Sequence, residues 1–307
     1  MSLLALLAAL LAQYAYPVKG HPPLMAFYGR LSLSAAKRLN AGDRESGILA
    51  WFVLMGAVLI PVALLSALLA SVHAFFPWLF DVAVLYATLR FLATCAQVAG
   101  IERALREGDG AAAATLLAQW QAEPLETEEP GSVARLTAEQ ALREAHQGTF
   151  ALLFWFLALP GPLGLVLYPL ALRAARTWAH LGEADERDFG RFAARAFHVI
   201  DWIPQRLSAF SFALVGDFED ALYCWRSQAA QWVDPDEGVV LASGAGALGV
   251  RLGEPIARGG AWVNRPVLGV GEPAREETLA SLIGMLWRAL ILWMIVYLLA
   301  AALVSVA

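Results

Sequence analysis

The C-terminal segment, residues 281 to 307, is an apolar run that contains a single charged residue, Arg288. An α-helix rises about 1.5 Å per residue, so a run of this length exceeds the ~30 Å thickness of the hydrocarbon core of a bilayer. No helix in the core of a soluble domain needs that length. The segment therefore predicts a transmembrane helix.

The composition extends this prediction to the rest of the chain. Hydrophobic residues make up 59% of it and charged residues 16%, whereas a soluble domain carries roughly 25% charged residues. The apolar runs hold only Asp81, Arg90 and Arg288, so the other charges lie in the connecting segments. We expect several membrane-embedded helices. The formal net charge of −5 gives no reason to expect a nucleic acid partner, which needs clustered Lys and Arg.

The N-terminal apolar stretch, residues 1 to 17, has no basic residue before it, so it predicts a retained helix and not a signal peptide. Positive charge follows it instead. Because positive charge favours the cytoplasmic side, residues 18 to 47 are expected in the cytoplasm. The basic residues concerned are Lys19, Arg30, Lys37, Arg38 and Arg44.

Residues 48–72 and 78–99 predict two further spans. The second of them carries Asp81 near one end and Arg90 in its interior. A charged side chain inside a membrane either marks a functional site or pairs with a polar group inside the helical bundle. Both interpretations stay open for these two residues.

The apolar run 149–172 is interrupted by Pro160, Gly161 and Pro162. It predicts either one kinked span or two half-helices that return to the same side of the membrane. Arg173 and Arg176 follow at once, which favours the re-entrant form. The predicted fold class is an all-α integral membrane protein with about four to five membrane-embedded helical segments, multi-pass in the bacterial inner membrane.

The polar segments are expected to be helical and to belong to one membrane domain, residues 1–307. Residues 100–148 predict a solvated helical hairpin, and residues 173–280 predict amphipathic helices on the cytoplasmic side, two of them separated at Pro204. Both segments are interpreted as soluble insertions, because no linker is long enough to separate independent domains.

The sequence shows few patterns typical of a catalytic or metal site. The five histidines are scattered and the two cysteines lie far apart, so no metal site is predicted. Gly244, Gly246 and Gly249 match the dinucleotide pattern G-x-G-x-x-G, but close helix packing explains them more simply. Asp201 and Arg206 either form a buried pair or cap helices.

Three short segments resemble the CobD/CbiB membrane proteins of cobalamin biosynthesis. GHPPLMAFYGRL (20–31) is similar to that family's HPV…IGRL element, AGALGVRLGEP (245–255) to its AGALG…LGGP segment, and NRPVLG (264–269) to its KPWIG. Residues 201–216 resemble the DWVPVRL…ALIG stretch of AmpE, an inner-membrane relative associated with the AmpD/AmpR system of β-lactamase induction. The order of these elements matches over nearly the whole chain.

The resemblance implies two functions of different classes. CobD/CbiB proteins join the propionate side chain of cobyric acid to an aminopropanol moiety, which requires ATP. This chain departs from their polar motifs at Ala145, Gln147, Trp232 and Leu241. The departures favour an AmpE-like regulatory or accessory protein without a cofactor. The alternative is a divergent enzyme of the adenosylcobinamide-phosphate synthase type, using ATP and magnesium to join aminopropanol or its phosphate to cobyric acid.

These two functions imply different partners besides membrane lipid: a protein or a cell-wall metabolite for the first, and a corrinoid for the second. If the chain is an enzyme, its candidate catalytic residues are His21, Arg30, Arg251 and Asn264. The candidates for ligand-binding or structural polar positions are Asp81, Arg90, Asp201 and Arg206.

Overall fold

The computed structural model of the chain describes residues 2–17, 23–179 and 187–306. These residues form mainly α-helices, with a few short strands near residue 260. The helices are α1 (Ser2–Ala15), α2 (Pro23–Leu39), α3 (Arg44–Val72), α4 (Phe75–Thr88), α5 (Phe91–Arg106), α6 (Gly110–Gln121), α7 (Pro130–Ala145), α8 (Ala151–Ala158), α9 (Leu163–Ala179), α10 (Arg187–Val215), α11 (Phe218–Gln228), α12 (Pro235–Leu248) and α13 (Glu276–Val306). The strands are β1 (Val250–Leu252), β2 (Ile256–Arg258), β3 (Ala261–Val263), β4 (Leu268–Gly269) and β5 (Glu272–Pro273).

Three helical stretches of the described residues are long and apolar enough to cross a membrane: Arg44–Val72, Phe75–Arg106 and Glu276–Leu303. This number differs from the predicted four to five. The N-terminal helix α1 has 14 residues, and the run 149–172 contributes to two helices of 8 and 17 residues. Each falls short of the ~20 residues that a spanning helix needs.

The second of these stretches is broken in its middle. Leu89 leaves the helical conformation (φ −68°, ψ 135°), and α5 begins after Arg90 (φ −120°, ψ 7°). Carbonyl groups freed by such a break need donors, since an unpaired carbonyl in an apolar setting is costly. The buried side-chain amide of Gln13 in α1 donates to the carbonyl oxygens of Tyr86 (2.9 Å) and Leu89 (2.8 Å). The polar residue of an otherwise apolar helix thus stabilises the break.

The chain divides into two compact units. Unit 1 comprises residues 1–89, 151–204 and 297–307, and unit 2 comprises residues 90–150 and 205–296. In unit 1, the indole of Trp178 packs among Tyr28 and Phe189 in the apolar core, and its Nε1 donates to the carbonyl oxygen of Ser32 (2.9 Å).

The helix α10 runs through Pro204 without a break, so the predicted separation of two helices at this proline is wrong. Proline removes one backbone donor and leaves the carbonyl four residues earlier without its usual partner. That carbonyl belongs to Ile200, and it accepts a hydrogen bond from Nε1 of Trp155 (3.3 Å). The replacement donor explains how the helix continues.

In unit 2, the glycines of the G-x-G-x-x-G pattern lie on the helix α12 and at its end. A Cβ at Gly244 would meet the side chain of Leu142 at 2.6 Å, and a Cβ at Gly246 would meet the carbonyl oxygen of Asp220 at 2.5 Å. Gly249 ends the helix in the left-handed conformation (φ 66°). Close helix packing and a C-terminal cap account for all three positions, and a dinucleotide-binding turn does not.

The strands of unit 2 form two small sheets. The strand β1 lies between β4, to which it is antiparallel, and β5, to which it is parallel. The strands β2 and β3 form an antiparallel hairpin. Together they fold residues 250–273 into a compact extension that follows α12.

Candidate functional site

The helix α7 buries an unusual number of polar side chains. Arg135, Thr137, Glu139 and Gln140 are all buried, so the predicted solvated hairpin is wrong for this helix. A buried polar group is costly unless it is hydrogen-bonded, and most of these find partners within unit 2. The partners of Arg135 and Glu139 come from the segment that follows α12, and these charged residues define a cluster.

The centre of the cluster is Glu139. Its Oε2 accepts from Nη1 of Arg265 (2.7 Å), and its Oε1 accepts from Nη2 of the same residue (3.3 Å) and from the backbone nitrogen of Gly253 (2.9 Å). Arg265 also donates to the carbonyl oxygens of Gly253 (3.0 Å) and Glu254 (3.1 Å). Two hydrogen bonds between a carboxylate and a guanidinium fix the relative orientation of the two groups, in addition to the attraction between their charges.

The guanidinium of Arg265 also lies over the ring of Trp232, 5.3 Å from the ring centroid. Such a cation–π contact is worth about 1–2 kcal/mol when it is shielded from water. Arg265 therefore has a carboxylate at its edge and an aromatic ring on its face. The first contact holds the loop 253–265 against α7, and the second holds it against the turn before α12.

A second ion pair joins Arg135 of α7 to Glu254. Glu254 has a left-handed backbone (φ 67°), which is uncommon for a residue other than glycine. The Nε of Arg135 is buried and has no hydrogen-bond acceptor among the described residues. This pair therefore combines backbone strain with an unused buried donor.

A third ion pair joins Arg143 to Glu237 near the start of α12. Arg143 also donates to Oε1 of Gln140 (2.6 Å). Burial alone would lower the pKa of Arg143, but Glu237 and the other nearby carboxylates raise that pKa above its ordinary value. The side chain of Gln205 donates to the carbonyl oxygen of Asp236 in the same turn. The beginning of α12 is thus tied to both α7 and α10.

Arg90 forms a fourth ion pair, in which its Nε lies 2.9 Å from Oε2 of Glu144. Its backbone nitrogen donates to the carbonyl oxygen of Gly148 (2.9 Å). Gly148 lies in a π-helical turn, His146–Phe150, that follows α7. The Nδ1 of His146 in this turn lies 2.9 Å from Oγ of Ser208, and both side chains are buried. Turns of this kind occur frequently at functional sites.

The cluster unites segments that are far apart in the sequence. The chain positions with family resemblance, or with departures from it, supply most of its members: residues 143–148, 232–237, 245–255 and 264–269. The separation of Arg265 from Glu139 is 126 residues and that of Glu254 from Arg135 is 119. Arg90, the start of α12 and the loop that carries Glu254 and Arg265 thus all form ion pairs with α7.

The predicted catalytic candidates do not form this cluster. Arg30, Arg251 and Asn264 are exposed, and His21 lies outside the described residues. Arg251 faces out from β1, and Asn264 precedes Arg265 in the loop.

The predicted polar positions have separate surroundings. Asp201 is buried, and its Oδ1 accepts from the hydroxyl of Tyr168 (2.9 Å). Arg206 donates to Oε1 of its neighbour Gln205 (3.4 Å). Asp81 lies half-buried in α4, and its Oδ1 has no donor among the described residues. Arg90 takes part in the cluster through its ion pair with Glu144.

The sequence interpretation missed Arg135, Glu139, Arg143, Glu237 and Arg265. The sequence carries one signal for three of these residues, namely their spacing. Arg135, Glu139 and Arg143 recur every four residues, which places them on one face of α7. A stripe of alternating charges can equally face water, so this spacing does not by itself indicate burial.

Within the ranges that the structure describes, no group of three or more His, Cys, Asp or Glu residues is arranged to hold a metal ion. Each carboxylate of the cluster instead accepts from an arginine. The acidic members are Glu139, Glu144, Glu237 and Glu254.

Comparison with known proteins gives one consistent result. The sequence model described as "CobD/Cbib protein" matches residues 3–304. The chain is similar to the cobalamin biosynthesis protein CobD of Stutzerimonas stutzeri, with 33% identity over 95% of this chain and 94% of the relative. It is 37% identical to the CobD of Chromobacterium violaceum over 73% of this chain and 71% of the relative. The CbiB of Salmonella choleraesuis is 28% identical over 89% of this chain and 87% of the relative. No solved structure gives a significant match.

These relatives overturn the predicted AmpE-like regulatory function. Their names assign them to cobalamin biosynthesis, and they support the alternative interpretation. The departures at Ala145, Trp232 and Leu241 favoured the regulatory function because polar residues of the family's motifs are absent at these positions. All three residues are buried, and charged neighbours in the same segments form the cluster.

Proposed function

The chain belongs to the CobD/CbiB protein family, and we propose on that premise that it acts in cobalamin biosynthesis. The reaction is the joining of an amino alcohol, aminopropanol or its phosphate, to a carboxyl group of a corrinoid acid. The observation that supports this most is the cluster on α7, in which four arginines and four glutamates are brought together from four separate segments.

The charges of the cluster suit the substrates of this reaction. A corrinoid carboxylate and a phosphate ester are both oxyanions, and a guanidinium binds either through two parallel hydrogen bonds. Arg135 and Arg143 lie on one face of α7 with Glu139 between them. We assign the arginines to substrate binding, and Glu139 to positioning because its carboxylate is fully used by Arg265 and Gly253.

The residues that differ from the family's polar motifs are compatible with this assignment. Trp232 supports Arg265 from below the guanidinium plane, and Leu241 is buried within α12. Charged side chains stand close to them in the same segments, namely Glu144 beside Ala145 and Glu237 before Leu241. These segments therefore carry charged side chains despite the departures.

Amide formation requires an activated carboxyl group, and family resemblance implies ATP for this step. The arginines provide donors of the kind that bind phosphate oxygens. The carboxylates of the cluster are already paired with arginines, so the described residues do not fit a magnesium site.

The location that fits this function is the inner membrane, with the cluster on the cytoplasmic side. The basic residues before α3 favour a cytoplasmic location for residues 18–47. If Arg44–Val72, Phe75–Arg106 and Glu276–Leu303 each cross the membrane, residues 107–275 are cytoplasmic. The two arginines after the broken apolar run, Arg173 and Arg176, agree with that side, as does a re-entrant form of residues 149–172.

The test is complementation of a bacterial strain that lacks its cobinamide-forming protein, scored as growth that depends on cobalamin. We expect the chain to restore growth. The double variant Arg143→Gln/Arg265→Gln is expected to fail, while Arg191→Gln, at an exposed ion pair, is expected to succeed. Failure of the unaltered chain, present in the membrane at the level of an active CobD, would reject the proposed function.

A further inference from the structure

Glu254 is held in a conformation that a glutamate does not favour. Its φ of 67° lies in the left-handed region, which a residue with a Cβ rarely adopts because of steric strain. The preceding Gly253 is also left-handed (φ 82°), and its backbone nitrogen is fixed by Glu139. The hydrogen bond to Glu139 therefore fixes the backbone of this turn, and the side chain of Glu254 extends from it to Arg135.

Arg135 is a buried cation with donors to spare. The residue is 7% exposed, its Nη1 donates to Glu254, and its buried Nε has no acceptor among the residues that the structure describes. A buried donor without a partner destabilises the folded state. A ligand with two oxygens on one centre would use Nε as well as a terminal nitrogen, which the carboxylate of Glu254 does not do here.

Glu254 differs from Glu139 in how easily it can leave its partner. The side chain of Glu254 is 34% exposed, whereas that of Glu139 is 3% exposed and accepts from two residues. The backbone carbonyl of Glu254 stays bound to Arg265 whatever its side chain does. The carboxylate of Glu254 can therefore rotate into water while the turn keeps its position.

We propose that Arg135 is the receptor for an oxyanion of the substrate, and that the carboxylate of Glu254 occupies this receptor until the substrate displaces it. The proposal rests on the proposed function for the identity of the substrate. The ligand is a carboxylate or a phosphate group, since both present two oxygens to a guanidinium in the same way. Glu254 thus acts as an internal competitor, which keeps a buried arginine paired while no substrate is bound.

The experiment measures anion binding by the purified full-length chain in nanodiscs, without any reaction. Propionate and inorganic phosphate are titrated separately at constant ionic strength, and the dissociation constant is obtained from the rise in thermal unfolding temperature. The chains compared are the unaltered protein, Glu254→Gln, Glu254→Asp and Arg135→Gln. Glu102→Gln, which removes one charge from the i, i+4 pair with Arg106 in α5, is the control for net charge.

Removing the competitor removes the fraction of time for which the receptor is blocked, so Glu254→Gln is expected to lower the dissociation constant about tenfold. Glu254→Asp keeps the charge on a shorter side chain, so its dissociation constant is expected to lie between those of the unaltered protein and Glu254→Gln. Arg135→Gln is expected to abolish anion binding. Glu102→Gln is expected to leave the dissociation constant at the value of the unaltered protein. The anion that gains more affinity identifies the substrate group, carboxylate or phosphate.

Two results would overturn the proposal. One is a dissociation constant that stays the same in Glu254→Gln and Glu254→Asp, and the other is binding that persists in Arg135→Gln. Because no corrinoid and no growth assay is involved, either result is independent of complementation. Anion binding without complementation would instead retain the receptor and reject the proposed function.

Discussion

Glu139 and Arg265 stand 126 residues apart in the sequence and share two hydrogen bonds, of 2.7 Å and 3.3 Å. Both side chains are almost fully buried. The pair connects the helix α7 to the loop after the hairpin of β2 and β3, and Gly253 adds a third bond to the same carboxylate. The charged cluster therefore depends on a contact between two segments of unit 2 that are far apart in the sequence.

The first prediction concerns this pair. Glu139→Gln leaves the guanidinium of Arg265 buried without a counter-charge, and breaking a buried pair in this way costs about 3–5 kcal/mol. We expect the free energy of unfolding to fall by about that amount, measured by denaturant titration in detergent.

The matched control is Asp188→Asn. Asp188 and Arg191 also form an ion pair, but both side chains are more than half exposed. Exposed pairs contribute about 0–1 kcal/mol, so this variant should unfold almost like the unaltered chain. Equal effects of the two substitutions would show that burial of Glu139 does not matter to stability.

Sequence reasoning predicted the long apolar helices well, because the length of an apolar run is itself the physical requirement for crossing a bilayer. The spans that begin at Arg44 and Glu276 follow directly from it. The break at Leu89 was not predicted. Its stability depends on the side chain of Gln13, which lies 76 residues away, and no local pattern records that contact.

The candidate site was harder to predict than the spans. Helical spacing puts Arg135, Glu139 and Arg143 on one face, but the same spacing is typical of a solvated helix. In the structure, Glu237 and Arg265 from distant segments form ion pairs with that face. A sequence interpretation that works within short windows cannot contain pairings of that separation. The predicted candidates Arg251 and Asn264 are exposed and lie in the same segments as Glu254 and Arg265 of the cluster.

The second prediction concerns close helix packing. A Cβ at Gly246 would lie 2.5 Å from the carbonyl oxygen of Asp220 and 2.7 Å from Cα of Ala221, and these backbone atoms cannot easily move. We expect Gly246→Ala to lower the free energy of unfolding by about 1–3 kcal/mol. In the control Gly284→Ala the added Cβ meets no atom within 4 Å, so stability should be unchanged or higher. A neutral Gly246→Ala would contradict the packing of α11 on α12.

The third prediction concerns pH. Hydrogen bonds from Ser132 and Gly131 at the start of α7 lower the pKa of Glu129. A lowered pKa in the folded state means that the contribution is complete above the unfolded pKa and is lost as pH falls through the folded value. Glu129→Gln should therefore cost about 1 kcal/mol at pH 7 and progressively less below about pH 4.5. Thermal unfolding from pH 3 to pH 8 checks this, and a difference independent of pH would contradict it.

The last prediction concerns the break in the second apolar helix. Gln13→Leu removes the side-chain amide that donates to the carbonyl oxygens of Tyr86 and Leu89, and it leaves both carbonyls without that donor. Each carbonyl left unpaired in a buried setting costs about 1–3 kcal/mol. Because leucine suits an apolar helix better than glutamine does, a lower unfolding temperature in nanodiscs cannot come from loss of hydrophobicity. Tyr14→Leu, at an exposed position of α1, should not lower it. If Gln13→Leu were instead as stable as the unaltered chain, the break would have to be stabilised by other contacts, such as the bond from the backbone nitrogen of Arg90 to Gly148.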